Sequence, residues 1–237
     1  MQIMIQGCEE LGIHLTKEQE QQFIDYYHLL IEWNQKANLT GITDYEDVIK
    51  KHFLDSLCIV KLSEVDDSKF KKVIDVGTGA GFPGIPLKIV FPDIQLTLLD
   101  SLNKRIKFLD VLIENLGLKY VRTVHGRAED FGRKHEYREK FDLCVSRAVA
   151  NLSVLSEYCV PLVQVGGNFV SYKSGKLQEE LENSKKAIRL LGGIVKEKAD
   201  FFVPESDMAR TLICVEKVKS TPGKYPRKSG VPGKKPL

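Results

Sequence analysis

The residues that point most directly to chemistry lie in Val73-Ile-Asp-Val-Gly-Thr-Gly-Ala-Gly-Phe-Pro-Gly84, an apolar run feeding into a glycine-rich turn. Gly77, Gly79 and Gly81 carry no β-carbon, so a ligand can approach the backbone there. In doubly wound sheets, a crevice at the carboxyl end of the first strand is where nucleotides bind. Asp100 follows sixteen residues after Gly84, at the end of the second expected strand, where a carboxylate can accept hydrogen bonds from both ribose hydroxyls. Positions 79–84 satisfy the dinucleotide pattern G-x-G-x-x-G, which makes an NAD(P)-dependent oxidoreductase one reading. Against it, Asp75 is an anionic neighbour ill-suited to a pyrophosphate, and Pro83 and Pro86 remove amide donors where phosphate would dock. A phosphate-free ligand with cationic groups suits the loop better. S-adenosyl-L-methionine, with an ammonium, a sulfonium and a ribose-adenine, is such a ligand; a turn that binds nothing is the third reading.

Two further loops fall at the same expected edge. Gly126-Arg-Ala-Glu-Asp130 follows the third strand, where backbone groups and a carboxylate can read an adenine edge; acids against a helix dipole explain Glu129 and Asp130 equally well. Ser146-Arg-Ala-Val149 follows the fourth strand, where a transferred group would sit, and Arg147 is a charge at a buried strand end. The Asn/Asp-Pro-Pro-aromatic motif of exocyclic-amine methyltransferases is absent there. Cys144, the nearest thiol to this edge, is expected inside the strand and facing away. None of the five histidines is expected in the crevice as a base; His52 comes nearest but belongs to the N-terminal helices.

Alternating elements position these loops. Residues 17–36 carry Phe23, Tyr26, Tyr27, Leu30 and Ile31 at helical spacing, with Thr16 and Gln19 forming a capping-box pattern. A second helix is predicted over 45–61. From Lys72 the period shortens: strands are predicted at 73–76, 95–99, 121–124, 141–145 and 168–172, separated by helices at 85–91, 103–116, 151–162 and 177–191. Such βαβ units imply a parallel sheet with helices on both faces. Segments 194–203 and 209–218 then predict a closing antiparallel hairpin. The expected organisation is an N-terminal helical segment (1–65), an α/β domain (66–219) and a tail (220–237).

Composition sets the outer limits. The chain has 237 residues, 43% hydrophobic and 28% charged, enough to bury a core. It has no run of 18 apolar residues and no signal-peptide pattern. Five cysteines without a C-x-x-C pair argue against a disulfide framework or a zinc site, and no metal is expected. A reducing cytoplasm fits this usage. The net charge of +3 is unevenly spread: residues 217–237 hold seven basic residues and no acid. Such a tail suits a polyanion or simply a solvated end. Arg122, Arg127, Lys104, Arg105 and Lys107 are candidates to extend a basic surface beside the crevice.

Together these pieces resemble the RsmG (GidB) family, bacterial methyltransferases that make N7-methylguanosine in 16S ribosomal RNA. The resemblance rests on Asn34-Gln-Lys-Ala-Asn-Leu-Thr40, His52-Phe-Leu-Asp-Ser56, the 75–87 loop, Gly126-Arg-Ala-Glu129 and Ser146-Arg-Ala148. It continues through Tyr225-Pro-Arg227 and Lys234-Lys-Pro-Leu237, so it covers nearly the whole chain. It implies a class I, Rossmann-like S-adenosylmethionine-dependent sheet, with cofactor contacts at Gly77, Phe82, Ala128, Glu129 and Arg147. Asp75, Gly79 and Asp100 join them from the reading of the crevice. The implied target is one guanine near the decoding site, in 16S ribosomal RNA or a small-subunit particle. Guanine N7 already carries a lone pair, so alignment can replace a base. In that setting Tyr225, Arg227, Lys228, Lys234 and Lys235 suit phosphate contacts and base stacking. Nothing in the sequence demands more than a monomer. A small-molecule methyltransferase and a non-catalytic RNA-binding module are the remaining rivals.

Overall fold

The computed structural model describes residues 1–64, 70–147, 150–174 and 177–237. The expected boundary after Val65 and motif positions Ala148 and Val149 lie outside the described residues. Five strands run parallel: β1 (Lys72–Val76), β2 (Gln95–Asp100), β3 (Val121–His125), β4 (Phe141–Ser146) and β5 (Val163–Lys173). The hairpin β6 (Gly193–Phe202) and β7 (Ala209–Lys217) joins them, with β7 antiparallel to both β5 and β6. The spatial order is β3-β2-β1-β4-β5-β7-β6. Order reverses between β1 and β4, which opens a crevice at the carboxyl ends of the strands.

Because strand side chains alternate, the sheet feeds two cores. Val73, Leu96, Leu98, Leu143, Val145 and Val170 face one, and Ile74, Leu99, Cys144, Phe169 and Ile213 face the other. The first core is closed by α5 (Gly84–Val90), α6 (Asn103–Asn115) and the N-terminal helices α1 (Gln2–Glu10) and α2 (Lys17–Ala37). The second is closed by α7 (Ala128–Phe131), α8 (Leu152–Cys159) and α9 (Gln178–Leu191). Helix α1 lacks a side-chain cap and lies ahead of the two helices predicted for the N-terminal segment; Met4 and Cys8 hold it in the first core. The Thr16–Gln19 capping box forms on both sides. The predicted helix over 45–61 is instead a series: α3 (Tyr45–Val48), a π-helical stretch Ile49–Leu54, α4 (Asp55–Leu57) and a 3₁₀ turn Cys58–Lys61. π-Turns are rare and tend to occur at functional sites. Among the described residues, no helix is long and apolar enough to cross a membrane.

The tail departs most from expectation. Lys217 is 1% exposed, paired with Glu139 at 2.9 Å and donating to the carbonyls of Val160 and Val163. Tyr225 is buried in the second core, and the Arg138 guanidinium donates to the carbonyls of Thr221 and Tyr225. Arg227 forks onto the fully buried Glu157, at 2.5 Å from Nη2 to Oε2. The basic tail is thus stapled to the domain: Tyr225 and Arg227 are spent on packing, while Lys228, Lys234 and Lys235 remain exposed. Glu157→Ala should therefore release the tail, costing about 1–3 kcal/mol. Faster tryptic cleavage after Lys224 and Lys228, with the rest of the domain resistant, is the expected readout; unchanged cleavage would deny the staple.

Candidate functional site

The glycine loop is held from three directions. From β2, the Leu99 carbonyl accepts from the amide of Gly77 at 2.8 Å, and Asp100 Oδ2 accepts from the amide of Gly79 at 2.9 Å. From the N-terminal helices, the Tyr26 hydroxyl donates to the Ala80 carbonyl at 2.6 Å. From below, Asp75 Oδ2 accepts from the Gly84 amide at 2.9 Å. Gly79 has φ +63°, and a β-carbon there would meet nothing closer than the Gly77 carbonyl at 4.0 Å, so open space faces it. Gly81 is different: its β-carbon would stand 2.7 Å from the Tyr26 hydroxyl and 2.8 Å from Ile85. Room for close approach of a ligand is therefore found at Gly79, whereas Gly81 admits Tyr26.

Above the loop lies a cavity of about 700 Å³, of a size that takes a nucleoside-like ligand. Gly77, Gly79, Phe82, Asp100, Ala128, Glu129 and Arg147 all line it, as the sequence led us to expect. Asp75 does not. It is fully buried beneath the loop, and burial pushes its carboxyl up to about 7 against the pull of the Thr78 hydroxyl and the Gly84 amide. Its place is to shape the turn rather than to meet a ligand. Asp100 Oδ1 also accepts from the Leu102 amide at 2.9 Å, and Arg105 Nη1 reaches Oδ2 at 3.2 Å. Arg105 is thus a cavity residue, not part of a surface patch. Arg127 is exposed at the cavity rim, and Lys104 and Lys107 are exposed on α6. Arg122 lies toward the amino end of the strands, bonded to Thr97 and set over the Tyr137 ring, so it is remote from the crevice.

The largest correction concerns His52. It lines the cavity, its ring stacked on Phe82 at 4.5 Å and 16°, with Tyr26 against Phe82's ring at 5.3 Å. Arg147 Nη2 approaches His52 Nδ1 at 3.2 Å, and arginine can only donate, so Nδ1 is the acceptor. Nε2 then carries the proton and donates to Thr40 Oγ1 at 2.9 Å. Burial and the Arg147 charge lower the imidazole pKa to about 3, so it is neutral with both nitrogens engaged. Asn34 prepares this arrangement: its Oδ1 accepts from the amides of Leu39 and Thr40, at 2.7 and 2.9 Å, bending the chain after α2 so that Thr40 meets His52. Arg147 lies 5.0 Å over Phe82 and bonds Asp55 Oδ2 at 2.7 Å. Asp55 is 3% exposed, and its Oδ1 also takes Arg210 Nε at 3.2 Å.

Thr40, His52, Arg105 and Tyr158 are cavity residues that the sequence reading did not place there. A signal existed for the first two, since both fall in motifs on which the family resemblance rests. Tyr158, on α8, had none. Cys144 is 0% exposed and outside the cavity, with burial raising its thiol pKa, and all five cysteines are buried.

The family model for GidB, the rRNA small subunit methyltransferase G, matches residues 19–207. The chain belongs to this family. The ribosomal RNA small subunit methyltransferase G of Lachnoclostridium phytofermentans is 55% identical over 98% of this chain and 96% of its own length. That of Alkaliphilus metalliredigens is 52% identical over 99% and 98%. Among solved structures, the YcgJ protein of Bacillus subtilis aligns with 71% of this chain and 100% of its own at TM-score 0.54 and 14% identity. TYW2 of M. jannaschii, solved in complex with AdoMet, aligns with 63% of this chain and 70% of its own at TM-score 0.51 and 13% identity. These likenesses establish a shared class I S-adenosylmethionine-dependent methyltransferase fold. As an rRNA small subunit methyltransferase G family member, the chain has its cavity where this fold opens at the β1/β4 switch.

Proposed function

We propose that this chain transfers a methyl group from S-adenosyl-L-methionine to N7 of one guanine in 16S ribosomal RNA near the decoding site. It acts as a cytoplasmic monomer on RNA or a small-subunit particle. The observation that carries this reading is the convergence of Gly77, Gly79, Asp100, Ala128, Glu129 and Arg147 on one cavity. The donor set fits the cofactor. Open space before Gly79 admits a close-packed ligand, Asp100 suits ribose hydroxyls, and Ala128 with Glu129 suits an adenine edge. When bound, the cofactor supplies an electrophilic methyl on a sulfonium.

The chain's own residues supply orientation rather than proton transfer. His52 is neutral and committed at both nitrogens, so it presents no base to the cavity. Guanine N7 needs none. The Tyr26–Phe82–His52 stack gives the cavity a rigid wall, and Arg147 is fixed at its mouth by Asp55 and His52. Holding two reactants in line can supply most of the acceleration for such a transfer. Lys228, Lys234 and Lys235 remain as exposed tail cations for RNA phosphates.

Incubation with labelled S-adenosylmethionine and small-subunit RNA or particles lacking the modification tests the reading. The expected product is a single labelled guanine that undergoes the chain cleavage permitted by N7-methylguanosine. Label at another atom would replace the N7 assignment. No transfer to any RNA form, despite cofactor binding, would favour a small-molecule substrate.

A further inference from the structure

A second cavity, of about 630 Å³, adjoins the first across a wall made by His52, Arg147 and Ala150. It is lined by the cations Lys51, Arg147, Lys173 and Arg210 and by the carboxylates Asp55 and Glu180. Lys173 and Glu180 neutralise each other at 2.7 Å, and Glu180 also takes the Leu152 amide. The other three have an unequal share: two guanidiniums divide the single buried carboxylate of Asp55. Arg147 spreads its terminal nitrogens over strong acceptors, Nη1 on Asp55 and the Lys51 carbonyl and Nη2 on His52 Nδ1. Arg210 does not. Beyond Nε on Asp55, its terminal nitrogens meet, among the described residues, only the neighbouring Ala209 carbonyl at 3.2 Å and the Met208 sulfur at 3.7 Å, a weak acceptor. A quarter of the Arg210 side chain is exposed. Lys51 stands at the rim, paired among the described residues with Asp47, one turn earlier on α3.

Topology explains why a cation from residue 210 reaches this place. Strand β7 runs antiparallel to β5, and Thr211 pairs with Lys173, so the first residues of β7 lie beside the carboxyl end of β5. That is the ligand-binding edge of the sheet.

We propose that this second cavity holds the backbone phosphate of the target nucleotide, with Arg210 as its principal ligand and Lys51 at the rim. A guanidinium with unspent planar N–H donors is suited to bidentate phosphate binding. Through the shared wall at Arg147, a base whose phosphate sits on Arg210 points toward the cofactor cavity. The inference rests on the RNA methyl-transfer reading and adds to it a positioning residue for the substrate.

Full-length wild type, Arg210→Gln and Lys51→Gln are compared for methyl transfer to small-subunit RNA over a range of salt, and for S-adenosylmethionine affinity by calorimetry without RNA. Arg210→Gln keeps an amide able to donate to Asp55. It should raise the RNA KM about ten-fold and flatten the slope of log KM against log salt by about one. Cofactor Kd should stay within about two-fold, which a general loosening of the Asp55 cluster would not allow. Arg210→Lys should restore the slope. Lys51→Gln, at a partly exposed position that keeps its backbone carbonyl for Arg147, should flatten the slope in the same direction. A flattened slope with preserved cofactor affinity in either variant supports the site. Wild-type slopes in both, or cofactor affinity falling in step with RNA KM, would overturn it while leaving the RNA reading intact. Absence of RNA transfer by the wild type would remove both.

Discussion

Replacing Asp75 with asparagine should make stability climb with pH, relative to wild type, between about pH 4 and 7. Two buried groups oppose each other in the wild type. The Asp75 carboxyl is raised from 3.8 to about 7, so the folded chain binds more protons than the unfolded chain between those values. Its contribution is full below pH 3.8 and is lost as pH rises toward 7. His52 is lowered from 6.5 to about 3, so there the unfolded chain binds more protons. Its contribution is full above pH 6.5 and is lost as pH falls toward 3. Each full excursion is worth about 4 kcal/mol, and over their common window the slopes cancel. The Asp75→Asn variant keeps an acceptor for the Gly84 amide and leaves the His52 slope alone. The His52→Gln variant should show the opposite, stability falling as pH rises from about 4 to 7. Urea unfolding of each variant against wild type cancels the background of other carboxylates. Parallel profiles for all three would refute the assignment of these two groups.

Asp100→Ala should weaken S-adenosylmethionine binding by about 1–3 kcal/mol, or roughly five- to 150-fold in Kd. The structure gives the loss two sources. In the proposed reading the carboxylate, which lines the cavity, accepts from the ribose hydroxyls. It also anchors the Gly79 amide and the Leu102 amide, at 2.9 Å each, so its removal frees the glycine loop from β2. Asp100→Asn retains one carbonyl acceptor and should fall between wild type and alanine. Calorimetry with cofactor alone reads this directly. An unchanged affinity in the alanine variant would take Asp100 out of the cofactor site.

Helices, strands and the glycine loop were legible because each is written in short-range periodicity and turn chemistry. The 75–84 loop, Asp100 and Glu129 could be placed at one edge of a parallel sheet before any contact was known, since βαβ order dictates which loops share that edge. Arg147 was legible there too, as a charge after the fourth strand, and the family motifs added Phe82 and Ala128 to the same edge. The tail misled for a physical reason. Seven cations in 217–237 read as a polyanion-binding arm or a solvated end, yet two of them, Lys217 and Arg227, are paired with Glu139 and Glu157, 70 or more residues away in sequence. Charge counted along the chain cannot register such pairing.

The sequence by itself determined most of the order of elements, the sheet class, the family and seven residues that line the cavity at the β1/β4 edge, because local residue patterns carry these. Only the tertiary structure decided that His52 lines that cavity as a neutral, doubly bonded ring, and that Asp75 lies beneath the loop. It alone brought Asp55, Arg147 and Arg210 into one cluster across three separate elements. Burial, hydrogen-bond saturation and the sharing of one carboxylate by two guanidiniums are properties of residues that meet in space. No spacing along the chain encodes them.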